Sequence, residues 1–205
     1  MFSRSLLTTI SASVLCLALA GCGTPPWQQG STAATPASTP TATTGSASPT
    51  AKPVKVRNDL AKGSARHHLG AGGLEISVDY WSTLDMASWT SQATKPLNLS
   101  MTADFMDGSP QDIFLSSLTV TVDVRGPRGA LSSPQPLMDR APATPGYLVT
   151  SPNAYVQVFN LPKVEDGASS LTLNLTYEVL AQSAPKSKKY LKQSTSDSLV
   201  IALAP

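Results

Sequence analysis

The feature that most constrains this chain is an alternation of period two that begins after Gly73 and recurs toward the C-terminus. Leu74, Ile76, Val78 and Tyr80 alternate with Glu75, Ser77, Asp79 and Trp81. Leu97, Leu99, Met101, Ala103 and Phe105 alternate with Asn98, Ser100, Thr102 and Asp104. The runs Leu118–Val124 and Leu171–Val179 repeat the pattern with Thr, Asn, Asp and Glu between the apolar positions. Successive side chains of a strand point to opposite faces, so each run predicts a half-buried strand. Weaker runs at 147–150, 155–159 and 199–203 bring the count to about seven, with a tight turn at Ser151-Pro152-Asn153. No stretch after residue 70 sustains a helical period over three turns. The expected fold is all-β: an antiparallel β-sandwich over residues 73–205, immunoglobulin-like in topology, with a jelly roll as the alternative. The Cys…Trp…Cys signature of antibody domains is absent.

The N-terminus reads differently. Arg4 is the only charge before an apolar stretch from Leu6 to Ala20 that Thr8, Thr9, Ser11 and Ser13 interrupt. This is an export signal over residues 1–21, too short and too polar for a permanent span of about 20 apolar residues. It closes on Leu19-Ala20-Gly21-Cys22, which resembles the lipobox of bacterial lipoproteins. The resemblance implies cleavage before Cys22 and a diacylglycerol thioether on its sulfur, which places the protein on the extracytoplasmic face of the cell membrane. Ala18-Leu19-Ala20 also satisfies the A-x-A rule for ordinary cleavage, which would release a soluble protein. Cys16 follows the large Leu15 and belongs to the signal core. After processing Cys22 is the only cysteine left, so the exported domain folds without an internal disulfide.

Residues 22–51 form a tether. From 23 to 51 there is no charge, and 26 of the 29 residues are Ser, Thr, Ala, Pro or Gly. Such a segment buries too little apolar surface to offset the entropy of ordering, so disorder is expected, with a span of about 30 Å. Residues 52–72 read as a basic stem. Between Lys52 and His68, five basic side chains face Asp59 alone, a net +4, whereas residues 69–205 carry nine basic and twelve acidic side chains. The stem is either a solvated linker or a contact for anionic lipid or an acidic wall polymer. A concentrated basic surface on the domain itself is missing, which disfavours nucleic acid as a partner.

Catalytic residues are not apparent. Both histidines, His67 and His68, lie in the stem, and no Ser/His/Asp or Cys/His set stands out. A carboxylate pair for hydrolysis is possible among twelve acids, but none is singled out. Adjacent histidines cannot easily face one metal, and Asp104, Asp107 and Asp112 lack the spacing of a calcium loop, so neither metal nor cofactor is expected. Tyr80, Trp81 and Trp89 are candidates for a sugar platform, although alternation turns Tyr80 inward.

The long connection from Arg125 to Gly146 is the principal candidate binding segment. Arg128, Leu137, Met138 and Arg140 supply the guanidinium and apolar groups that interfaces favour, or they cap the end of the core. Lys186, Lys188, Lys189 and Lys192 either guard an edge or meet a polyanion. The whole is similar in layout to lipoproteins of high-GC Gram-positive bacteria: a lipobox, an uncharged tether, then a β-rich domain. The expectation is a non-enzymatic, membrane-anchored sandwich that binds a protein or envelope component. The alternatives are a passive assembly subunit of an envelope complex, or a carbohydrate-binding or hydrolytic domain.

Overall fold

The alternating runs pair with one another into two antiparallel sheets. The computed structural model describes residues 56–205; the signal, Cys22, the tether and the first residues of the stem lie outside them. Ten strands follow in order: β1 Ser64–Ala71, β2 Leu74–Trp81, β3 Lys95–Phe105, β4 Ile113–Gly126, β5 Gly129–Leu131, β6 Leu137–Arg140, β7 Tyr147–Leu148, β8 Tyr155–Leu161, β9 Ser170–Gln182 and β10 Tyr190–Ala202. Among the described residues the only helical piece is a single 3-10 turn at Met86–Ser88. One sheet has the order β1-β2-β3-β8. The other has the order β10-β9-β4, with β5, β6 and β7 docked in turn along the far side of β4. The fold is an antiparallel β-sandwich.

Seven of the strands are long, four in one sheet and three in the other. That division is the one found in immunoglobulin domains, but two connections differ: the third long strand stays beside the second, so the fourth is the first to cross, and the chain crosses again between the fourth and the fifth.

Apolar positions of each run meet in one core. Leu74, Ile76, Val78, Tyr80, Leu97, Leu99 and Met101 face Leu118, Val120, Leu171, Leu173, Leu175 and Tyr177, and all are fully buried. Thr121 opposite Asn174 lies on the outer face, Thr121 exposed and Asn174 half-buried with its amide donating to Asp123 at 2.9 Å. The Ser151-Pro152-Asn153 turn forms as expected, the Asn153 amide donating to the Thr150 carbonyl.

Two expectations need correction. The basic stem does not extend to residue 72. Leu60 is fully buried, and Ser64–Ala71 forms β1, paired with β2 from Ser64↔Trp81 to Ala71↔Leu74. Gly72 and Gly73 make the connecting two-residue turn with φ of +55° and +86°, a geometry that favours glycine. The alternation of β1 went unseen because its inward residues are Ala65, His67, Leu69 and Ala71, a small and mixed set. The stretch 125–146 is likewise not one structureless loop, since β5 and β6 lie within it.

Candidate functional site

Three polar clusters carry the chemistry of this domain, and each needs residues far apart in sequence. The first sits where β1 and β10, the neighbouring edges of the two sheets, come together. Asp197 Oδ2 accepts from Tyr80 Oη and from His67 Nδ1, both at 2.7 Å. With the Tyr80 proton so committed, the Tyr177 hydroxyl donates to Tyr80 Oη at 2.7 Å. A carboxylate only accepts, so His67 carries its hydrogen on Nδ1. The His67 ring also meets Tyr80 edge-on at 5.5 Å. Burial, reinforced by Tyr177 and Asp197, raises the Tyr80 phenol far above its usual range; burial also raises Tyr177. The premise that both histidines stand outside the domain is therefore corrected: both lie on β1, His67 turned inward to this cluster and His68 outward. The His67 partner Asp197 is 130 residues away and nothing local in the sequence marks it.

The second cluster closes the opposite edge. Asp139 points inward from β6 and accepts from Tyr155 of β8 at 2.6 Å and from Tyr147 of β7 at 3.4 Å. The two tyrosine rings lie 5.0 Å apart. Burial first, and Asp139 next, raise the Tyr155 phenol.

The third cluster is a cleft of about 430 Å³ on the outer face of the larger sheet. A β-bulge between Leu115 and Ser117 builds its floor. The extra residue, Ser116, donates to the Glu178 carbonyl at 2.9 Å, and the Ser117 hydroxyl donates to Glu178 Oε2 at 3.0 Å. Bulges of this kind re-aim side chains and recur at functional sites. The wall is Ala141-Pro142-Ala143-Thr144-Pro145, which returns to β4 at Gly146. Gly146 has a φ of +146° and lies against the Leu115 carbonyl, where a Cβ would stand 2.3 Å from its oxygen. Lys192 of β10 pairs diagonally with Glu178 on the adjacent β9 at 2.9 Å, and Arg140 of β6 enters from the other side. Lys192 and then Ser117 hold the Glu178 carboxyl below its usual range against the opposing effect of burial, with Arg140 adding in the same direction. Arg140 itself makes no salt bridge among the described residues; its Nη2 lies 3.9 Å from Met138 Sδ.

The candidate binding residues are thus divided. Arg140 and Lys192, from the two segments read separately as basic candidates, meet at the cleft. Met138 is exposed two residues from Arg140 on the same outer face, whereas Leu137 turns inward and packs on the core. Arg128 does not join them: it lies in the β4–β5 turn beyond Gly126, nine residues along β4 from Ser117, roughly 30 Å away. Lys186, Lys188 and Lys189 sit exposed in the β9–β10 connection, away from the cleft lining. Glu178 and Ser117 were missed as site residues because their outward alternation looked like ordinary solvated strand. The strand register alone sets them between Arg140 and Lys192.

The remaining candidates do not assemble. Tyr80 and Trp89 are fully buried, and the Trp89 indole donates to Ser82 Oγ at 3.1 Å, so no aromatic platform forms with the half-buried Trp81. Asp104 accepts from Ser151, and Asp107 accepts from the Ser109 amide. Among the described residues no group of three His, Cys, Asp or Glu side chains converges. Lys95 is a fully buried cation, but its ammonium donates to the Thr90 and Ala93 carbonyls at 3.2 and 2.6 Å and secures that turn. No protein-family model, curated protein or solved structure matches this chain.

Proposed function

We propose that the protein is an extracytoplasmic lipoprotein, anchored in the cell membrane through acylated Cys22, whose β-sandwich binds an anionic protein segment or envelope polymer without catalysis. The binding part rests on one observation, the guanidinium of Arg140 at the mouth of the cleft, which no carboxylate among the described residues pairs. Lys192 beside it is largely neutralised by Glu178, so Arg140 is the group left to receive a carboxylate or phosphate, and a guanidinium does so with two parallel hydrogen bonds. The cleft is open and its floor holds serine hydroxyls, which suits an extended chain lying across the sheet. Leu19-Ala20-Gly21-Cys22 supports the anchor, and the uncharged residues 23–51 supply the reach to hold the domain off the lipid surface.

Two measurements test this reading. Wild-type protein expressed in a bacterium should incorporate labelled fatty acid, and Cys22→Ala should leave the membrane fraction; no label in the wild type removes the anchor. Immobilised poly-glutamate and poly(glycerol phosphate) serve as anionic probes for the cleft. Arg140→Ala should weaken binding about tenfold with an unchanged melting temperature, and salt should weaken the wild type. Equal binding by Arg140→Ala and wild type would remove the cleft from the proposal.

A further inference from the structure

β8 is the long strand whose backbone the fold leaves open without blunting it. It pairs with β3 along one side, from Lys95↔Leu161 to Met101↔Tyr155, and among the described residues no strand is ladder-bonded to its other side. The Val158 amide marks the open side, because it donates to Gln157 Oε1 of its own neighbour at 2.9 Å. Natural edge strands are usually blunted by charge, proline or shortness. β1 carries Arg66 and β10 carries Lys192 and Asp197; β6 carries Asp139 and Arg140, and β5 and β7 are three and two residues long. β8 reads Tyr-Val-Gln-Val-Phe-Asn-Leu, with no charge and no proline, and its outward Val156 and Val158 are 62% and 44% exposed.

We propose that β8 is a self-association edge, and that its occupant is β8 of a second copy, paired antiparallel about a two-fold axis at Gln157. The strand is nearly symmetric about that residue, with valine on each side and an aromatic beyond. Antiparallel pairing about it sets Val156 against Val158 of the second copy, and Tyr155 against Phe159. The period of two then keeps all four valines on the outer face and all four aromatics inward, so neither copy exchanges its faces. Because the Val158 N–H points to the open side, Val156 and Val158 form hydrogen-bonded pairs. Gln157 meets its counterpart in the closer, non-hydrogen-bonded pairing. The second copy's carbonyl replaces the Gln157 side chain that now occupies the edge.

Charge permits this pairing. The row through Val156 continues to Ser100, Asp79 and Arg66, and the last two neutralise each other at 2.6 Å. No like charges therefore confront one another across the axis. The contact from a seven-residue edge is at or below about 1,000 Å², so the dimer is weak and concentration-dependent. It joins the two four-stranded sheets and leaves the Arg140 cleft, on the other sheet, uncovered.

Cysteine cross-linking of the full chain tests the register, in a background with Cys16 and Cys22 replaced by Ser. Gln157→Cys should oxidise to a disulfide-linked dimer about tenfold faster than Thr121→Cys on the opposite sheet, because the non-hydrogen-bonded pairing brings its Cα atoms within disulfide range. Sedimentation of the wild-type chain should show a mass that climbs toward twice the monomer with concentration. Val156→Lys with Val158→Lys should remain monomeric, with a melting temperature that confirms the fold. Equal cross-linking at 157 and 121, fastest cross-linking with Val158→Cys, or a monomer mass throughout the micromolar range would each overturn the proposal.

Discussion

The two edges of this sandwich are closed by the same device under different degrees of burial. At each edge an aspartate on an outer strand of the larger sheet accepts from a tyrosine of the smaller one: Asp197 from Tyr80, and Asp139 from Tyr155. At the β1/β10 edge a second tyrosine and His67 complete the network, and Tyr80 and Tyr177 are fully buried. At the β8/β6 edge Asp139 and Tyr147 are only half-buried, and the neighbouring β8 backbone is open. An unpartnered polar group costs more the less water can reach it, so the first edge should hold the fold together more strongly than the second. The second edge is correspondingly the one suited to pairing with another strand.

Removing the two aspartates tests that ranking directly. Asp197→Ala leaves the Tyr80 hydroxyl and the His67 ring without their acceptor and should cost about 3 kcal/mol in urea unfolding. A cost near zero would mean that water replaces the carboxylate and that the edge is open. Asp139→Ala should cost about 1 kcal/mol, since solvent reaches the half-buried Asp139 and Tyr147.

The tyrosines sharpen the comparison at alkaline pH. Tyr80, Tyr177 and Tyr155 are all raised above the ordinary phenol value of 10.0, chiefly by burial. The folded chain therefore keeps protons that the unfolded chain has released. Their contribution is fully present below pH 10 or so and is lost as pH rises beyond it. Ultraviolet difference titration should show these three phenols ionising together with unfolding. Tyr80→Phe should flatten the alkaline loss of stability more than Tyr155→Phe does; the reverse order would contradict the burial argument.

Away from both edges, effects should be small. Thr121→Lys, on the outer face, should change stability by no more than about 0.5 kcal/mol. Failure to fold would mean that the β4 register is wrong. The acid limb has the opposite sign from the alkaline one. Glu178 is held below its usual range, so its contribution is present above pH 4.5 or so and fades as pH falls through its lowered value. Glu178→Gln should flatten that limb slightly in an acid unfolding series.

How much was legible follows from the type of strand. β2, β3, β4 and β9 could be read because their inward positions are mostly Leu, Val, Ile and Met, each covered by the opposite sheet regardless of its exact partner. The edge strands were harder. β1 presents Ala, His, Leu and Ala inward, and β10 presents Gln193, Thr195 and Asp197 before Leu199 and Ile201, so the period-two signal is lost where the core thins. β6 disappeared into a Pro-rich stretch for the same reason, with only four residues, of which Leu137 and Asp139 face inward.

The site divided along the same line. That Arg128, Arg140 and the lysines near residue 190 are candidate basic groups was visible from residue type. That Arg140 and Lys192 share one cleft, with Glu178 and Ser117 between them, depends on β6, β4, β9 and β10 lying side by side in a particular register. The sequence by itself determined which faces of the central strands are apolar, because that alternation is a local property of a pleated chain. Tertiary structure alone decided which polar side chains meet, because a hydrogen bond such as His67 to Asp197 is set by the packing of two sheets and leaves no periodic trace in either segment.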